Sequence, residues 1–86
     1  MFSVVLKPAV KKDLKKLPNP FRSKIIEKIE DLSNSPFPYN SVKLSGTENL
    51  YRIRWGDYRV VYSALPEIKE IVIHYVGHRK DVYRDL

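Results

Sequence analysis

Cysteine is absent from this 86-residue chain, which excludes disulfides, thiolate nucleophiles and cysteine-based zinc ligation. The two histidines, His74 and His78, lack a convincing carboxylate spacing, so no metal site and no cofactor are expected. Only three glycines occur, and they form neither a phosphate-cradling loop nor a nucleophile elbow. Nowhere do about 18 apolar residues run together, and the N-terminus has no long apolar segment, so neither a membrane span nor a conventional secretion signal is expected. A cytoplasmic protein is the default expectation. The length allows one domain, residues 1–86, with one core and no separate regulatory module.

What the chain has in excess is positive charge. Sixteen Lys and Arg face ten Asp and Glu, a net +6, which favours a polyanionic or acidic partner. Residues 1–43 hold nine basic and four acidic side chains, and residues 44–86 hold seven and six. Most of the excess therefore falls on the first half, at Lys11, Lys12, Lys15, Lys16, Lys24 and Lys28. These read equally well as a solvated helix surface or as an auxiliary nucleic-acid contact.

Phe2 to Lys7 reads as a short strand, followed by Pro8 in the first turn of a helix whose apolar stripe is Val10, Leu14 and Leu17. Pro18-Asn19-Pro20 ends it, and a second helix is expected from about Pro20 to Asn34, with Phe21, Ile25, Ile29 and Leu32 on one side. So short a link folds the two helices into a hairpin. The proline-rich segment Ser35 to Asn40 is a connection whose Phe37 or Tyr39 covers the core edge. After a short extended approach, Ser41 to Ser45, strands are expected at Leu50 to Trp55, Tyr58 to Leu65 and Glu70 to Val76. Their tight connections imply an antiparallel meander with both helices on one face, an α+β architecture.

Within Leu50 to Tyr62 arginines alternate with apolar residues. Strand geometry puts Tyr51, Ile53 and Trp55 on one face and Arg52 and Arg54 on the other, with Arg59 one hairpin away. Like charges so placed repel unless an anion answers them, and a planar guanidinium fork matches phosphate oxygens. Lys43, Arg52, Arg54 and Arg59 are thus candidate phosphate-binding residues, with His78, Arg79 and Tyr83 expected to approach from the last strand. Arginine is a poor proton shuttle, so His78 is the candidate acid or base, against a structural or base-stacking role. His74, inside an apolar strand, reads as a half-buried side chain bonded to a neighbour. Tyr51, Trp55, Tyr58, Tyr62 and Tyr75 read as sheet-core packing. Tyr83 either stacks on a base or pins the C-terminus.

Four fragments carry a resemblance: Lys43-Leu44-Ser45-Gly46, Leu50-Tyr51-Arg52-Ile53-Arg54, Gly56-Asp57-Tyr58-Arg59-Val60-Val61-Tyr62, and Val76-Gly77-His78-Arg79 followed by Tyr83. In order and spacing they resemble the RelE/ParE superfamily of toxins from type II toxin–antitoxin systems, most closely its RelE-like branch. The resemblance implies a ribosome-dependent endoribonuclease that cuts messenger RNA in the A site by metal-free attack of a ribose 2′-hydroxyl on its own 3′ phosphate. It implies as partners a cognate antitoxin, the 70S ribosome and mRNA, with no membrane partner. By position Arg52 and Arg54 replace two family lysines, Arg59 and Arg79 match phosphate-stabilising arginines, and Tyr83 matches a base-orienting tyrosine. Lysine can lose a proton where arginine practically cannot, so Arg52 and Arg54 are expected to act electrostatically. Two alternatives stay open: a ParE-like gyrase inhibitor and a non-catalytic nucleic-acid or protein-binding module.

Overall fold

The computed structural model describes residues 1–46 and 49–78. The expected positions Arg79 and Tyr83 lie outside the described residues. Elements follow one another as β1 (Ser3–Leu6), α1 (Pro8–Lys16), α2 (Phe21–Asp31), β2 (Val42–Lys43), β3 (Leu50–Trp55), β4 (Tyr58–Leu65) and β5 (Glu70–His78).

Pro8 opens α1, where its missing N–H costs nothing, and Lys15 and Lys16 sit in the last turn beside the partially negative helix end. Val10 and Leu14 are buried while Lys11, Lys12, Lys15 and Lys16 are exposed. In α2 the buried side is Ile25 and Ile29, continued by Leu32 just past the helix. This helix ends at Asp31, short of the expected Asn34. Beyond Asp31 the chain tightens into i→i+3 turns, Ser33 N–H to Glu30 O at 3.1 Å and Asn34 N–H to Asp31 O at 3.2 Å. Ser33 is then tied to the first strand: Phe2 N–H donates to its carbonyl and its hydroxyl donates to the Phe2 carbonyl, each at 2.8 Å.

The five strands form one sheet in the order β1-β5-β4-β3-β2. The expected meander is its centre, with β3, β4 and β5 pairing antiparallel in sequence. Both edges are extended. β1 joins β5 in parallel, Val4 opposite Ile71 and Leu6 opposite Ile73, and the extended approach after the proline segment is the two-residue β2 against β3. Gly56, at φ +60°, supplies the left-handed conformation for the two-residue turn between Trp55 and Tyr58.

Both helices cover one face. The core there joins Val10, Leu14, Ile25, Ile29 and Leu32 to Ile53, Val60, Tyr62, Ala64, Ile71, Ile73 and Val76, each large apolar side chain contributing about 1.5–3 kcal/mol by leaving water. Tyr62 is fully buried, stacks on Tyr51 at 5.8 Å, and donates its hydroxyl to the Pro36 carbonyl at 2.8 Å. That bond fixes the proline-rich connection, and Phe37 closes the core edge against Tyr51 at 5.0 Å. Tyr39 is wholly exposed.

One irregularity bears on the site. Ile71, Ile73 and Val76 are all buried on the helix side, yet Ile73 and Val76 are three residues apart where a regular strand demands an even spacing. The strand resolves the conflict with a bulge: Val61 is opposite Tyr75, but Tyr62 is opposite Ile73. The additional residue, His74, turns with Tyr75 toward the face opposite the helices.

Candidate functional site

The sheet face away from the helices gathers the candidate cations. Arg52 and Arg54 alternate with the inward Tyr51, Ile53 and Trp55 on β3, and Arg54 is directly opposite Arg59 of β4. Their Cβ atoms therefore lie about 5 Å apart. Arg54 is exposed, Arg52 is half-buried with its Nε buried, and Arg59 is only 8% exposed. Arg59 is thus set into the sheet floor while Arg54 stands in solvent. The Asn40 amide donates to the Arg54 carbonyl at 3.2 Å, which anchors the proline-rich connection to this end of β3. Several guanidiniums on one rigid face can grip a phosphate and stabilise additional charge on it.

The other predicted residues are distributed differently. Lys43 is opposite Tyr51, so its side chain leaves the sheet on the helix side of the pleat, away from Arg52. His78 is opposite Tyr58 and meets its ring edge-on at 5.8 Å. Tyr58 in turn contacts Phe21 of α2 at 5.6 Å, so His78 belongs to an aromatic group at the helix-side end of the sheet. It is Gly77 that stands opposite Arg59. The described residues thus bring together Arg52, Arg54 and Arg59, and leave Lys43 and His78 on the other face.

His74 is half-buried and bonded to a neighbour, as its place in an apolar strand implied, and it lies on the arginine side. Its Nε2 is 2.6 Å from the Ser63 hydroxyl, and Ser63 shares the face of Arg59 and Val61 by strand alternation. Burial, then the nearby Lys7 ammonium, push the His74 pKa below 6.5, so its ring is neutral at pH 7. The signal available in the sequence was the odd spacing of Ile73 and Val76, which becomes legible only once both are known to be buried.

A family model described as the ParE toxin of the type II toxin–antitoxin system parDE matches residues 4–83. The chain is 34% identical to RelE1 of Methanocaldococcus jannaschii, over 98% of this chain and 97% of that one. It is also 36% identical to toxin RelE3 of the same organism over 84% of each. Among solved structures it is similar to RelE of Pyrococcus horikoshii, determined in a RelE–RelB complex, with a TM-score of 0.81, 34% identity, and coverage of 94% of this chain and 98% of that one. The chain belongs to the RelE/ParE superfamily, the toxins of type II toxin–antitoxin systems. Within it, the relatives place the chain in the RelE-like branch.

Proposed function

We propose that this chain is a ribosome-dependent endoribonuclease toxin. It cuts A-site messenger RNA through attack of a ribose 2′-hydroxyl on the adjacent 3′ phosphate, leaving a 2′,3′-cyclic phosphate and a 5′-hydroxyl. The observation that supports this reading most is the collection of Arg52, Arg54 and Arg59 on the one sheet face that points away from the helices. In this reading Arg59 holds a non-bridging phosphate oxygen from the sheet floor, and Arg52 and Arg54 stabilise charge that grows as the 2′-oxygen attacks. Arg79 and Tyr83 complete the set by resemblance, at the leaving oxygen and the substrate base. His78, on the other pleat, is assigned no proton step. Alignment of the messenger by the ribosome supplies the in-line geometry that a site built on electrostatics needs.

The partner that silences the toxin is a RelB-like antitoxin. This is supported by the P. horikoshii relative solved with RelB and by a net charge of +6, which an acidic segment folding over the sheet would neutralise.

A second reading, gyrase inhibition, is favoured by one specific observation, the match to a family model described as a ParE toxin. Primer extension on messengers in a reconstituted translation system, run beside a gyrase supercoiling assay, separates the two. Discrete cuts that require ribosomes, with supercoiling intact, are expected. Blocked supercoiling with intact messengers would replace the RNA reading with the gyrase one.

A further inference from the structure

The arginine face binds charge well but contains no arginine able to accept a proton near neutral pH. Attack by a 2′-hydroxyl needs such an acceptor. The same face offers one beside the arginines. Ser63 is two residues along β4 from Val61, the residue opposite Arg52, and so lies about 7 Å further along the strand. The Arg52 side chain is long enough to lean along the strand across that distance, and the 2′-oxygen lies close to its own 3′ phosphorus, so a phosphate gripped by Arg52 can set the 2′-hydroxyl against Ser63. Behind Ser63, the bulge in β5 turns His74 onto this face and sets its Nε2 2.6 Å from the serine oxygen. Bulges recur beside active sites because they re-aim one side chain without disturbing the rest of the strand.

We propose that Ser63 and His74 form a proton relay for the ribose 2′-hydroxyl, with Ser63 touching the ribose and His74 receiving the proton behind it. The inference rests on the RNA-cleaving reading above. In the step, the 2′ O–H bond breaks as its proton passes to Ser63 Oγ, and the serine's own proton passes to His74 Nε2. The 2′-oxygen forms its bond to phosphorus, the bond from phosphorus to the 5′-oxygen breaks, and that oxygen takes a proton from water. His74 then returns its proton to solvent.

The surroundings of His74 suit a transient acceptor. Burial, and then Lys7 just beyond β1, disfavour the imidazolium, so the resting ring is neutral at pH 7 and able to accept a proton. Tyr75 flanks it at the bulge. Glu70, the acidic residue on this face of β5, is at the far end beyond Val72, opposite Leu65. Arg52 lies across β4, where it favours the alkoxide as it forms.

The test is the pH dependence of single-turnover cleavage on ribosome-bound messenger for the native chain, His74→Gln and Ser63→Ala. Glutamine retains a hydrogen bond to Ser63 but cannot titrate. The native rate is expected to rise with pH through the His74 titration below 6.5 and then level off. His74→Gln is expected to lose about a hundredfold or more at the plateau and to lose the acid limb altogether. Ser63→Ala is expected to show a comparable loss. Titration of the His74 ring by NMR in the native protein, which needs no variant to fold, should give the midpoint of that limb. A His74→Gln protein that cuts within about threefold of the native rate and keeps the limb, or a ring that titrates elsewhere, would overturn the relay while leaving the RNA reading intact. A native chain that cuts no messenger would remove both.

Discussion

Arg54→Gln should make the domain more stable and the toxin weaker at once. Arg54 is exposed and directly opposite Arg59 on the neighbouring strand, so its removal leaves no cavity and ends a like-charge pair. Such directly opposed pairs cost about 0.2–1 kcal/mol. For a chain of this length that is an increase of about 1–8 °C in melting temperature. The same change withdraws one cation from the phosphate-binding face. Affinity for a short single-stranded RNA should fall, and the slope of log affinity against log salt should shrink by about 0.7. Thermal melts followed by circular dichroism and a salt series of RNA-binding titrations measure both effects on one preparation. A melting temperature below that of the native chain, or an unchanged salt slope, would refute the reasoning, because it would mean that Arg54 neither repels Arg59 nor meets the RNA backbone.

Tyr62→Phe leaves the Pro36 carbonyl unanswered and should cost about 1–3 kcal/mol in urea unfolding at pH 7. Burial pushes the Tyr62 pKa from 10.0 up to about 12, so this group's contribution is complete below pH 10 and is lost as the pH rises towards 12. The native chain should therefore lose about 3 kcal/mol across that window, and the Tyr62→Phe chain should lack that component in the same pH series. Ile25→Ala removes a fully buried side chain from the inner side of α2 and should cost about 2–5 kcal/mol by the same unfolding measurement. His74, whose pKa is lowered in the folded state, favours folding above pH 6.5 and loses that contribution as the pH falls. His74→Gln should accordingly flatten the acid side of the stability curve.

The alternation from Leu50 to Tyr62 was legible because a period of two is imposed by the backbone itself. Ile53 and Tyr62 are buried, and Arg52, Arg54 and Arg59 share the opposite face as read. The helical hairpin and the central meander were legible for the same reason, through the stripes of Val10 and Leu14 and of Ile25 and Ile29. The side of the pleat taken by an isolated residue was not. Lys43 and His78 stand on the helix side because their registers are fixed by Tyr51 and Tyr58 across the ladder, partners that nothing in their own neighbourhood announces. Helix α2 is expected to run to Asn34, but its apolar stripe ends at Leu32, and Ser33 is held instead by Phe2, just before β1. The bulge that reverses His74 was hidden because Val72, His74 and Val76 mimic uninterrupted alternation. Only the simultaneous burial of Ile73 and Val76 breaks it.

The most direct test of the arginine face is the single-turnover cleavage rate on ribosome-bound messenger for Arg52→Gln and Arg59→Lys, with ribosome binding and folding measured alongside. Lysine keeps the charge at position 59 but loses the planar fork. If these guanidiniums stabilise the phosphate as the 2′-oxygen attacks, each variant should still fold and bind ribosomes while cutting about a hundred- to a thousandfold more slowly. Cutting at the native rate by either folded variant would contradict a role for that guanidinium in the chemical step.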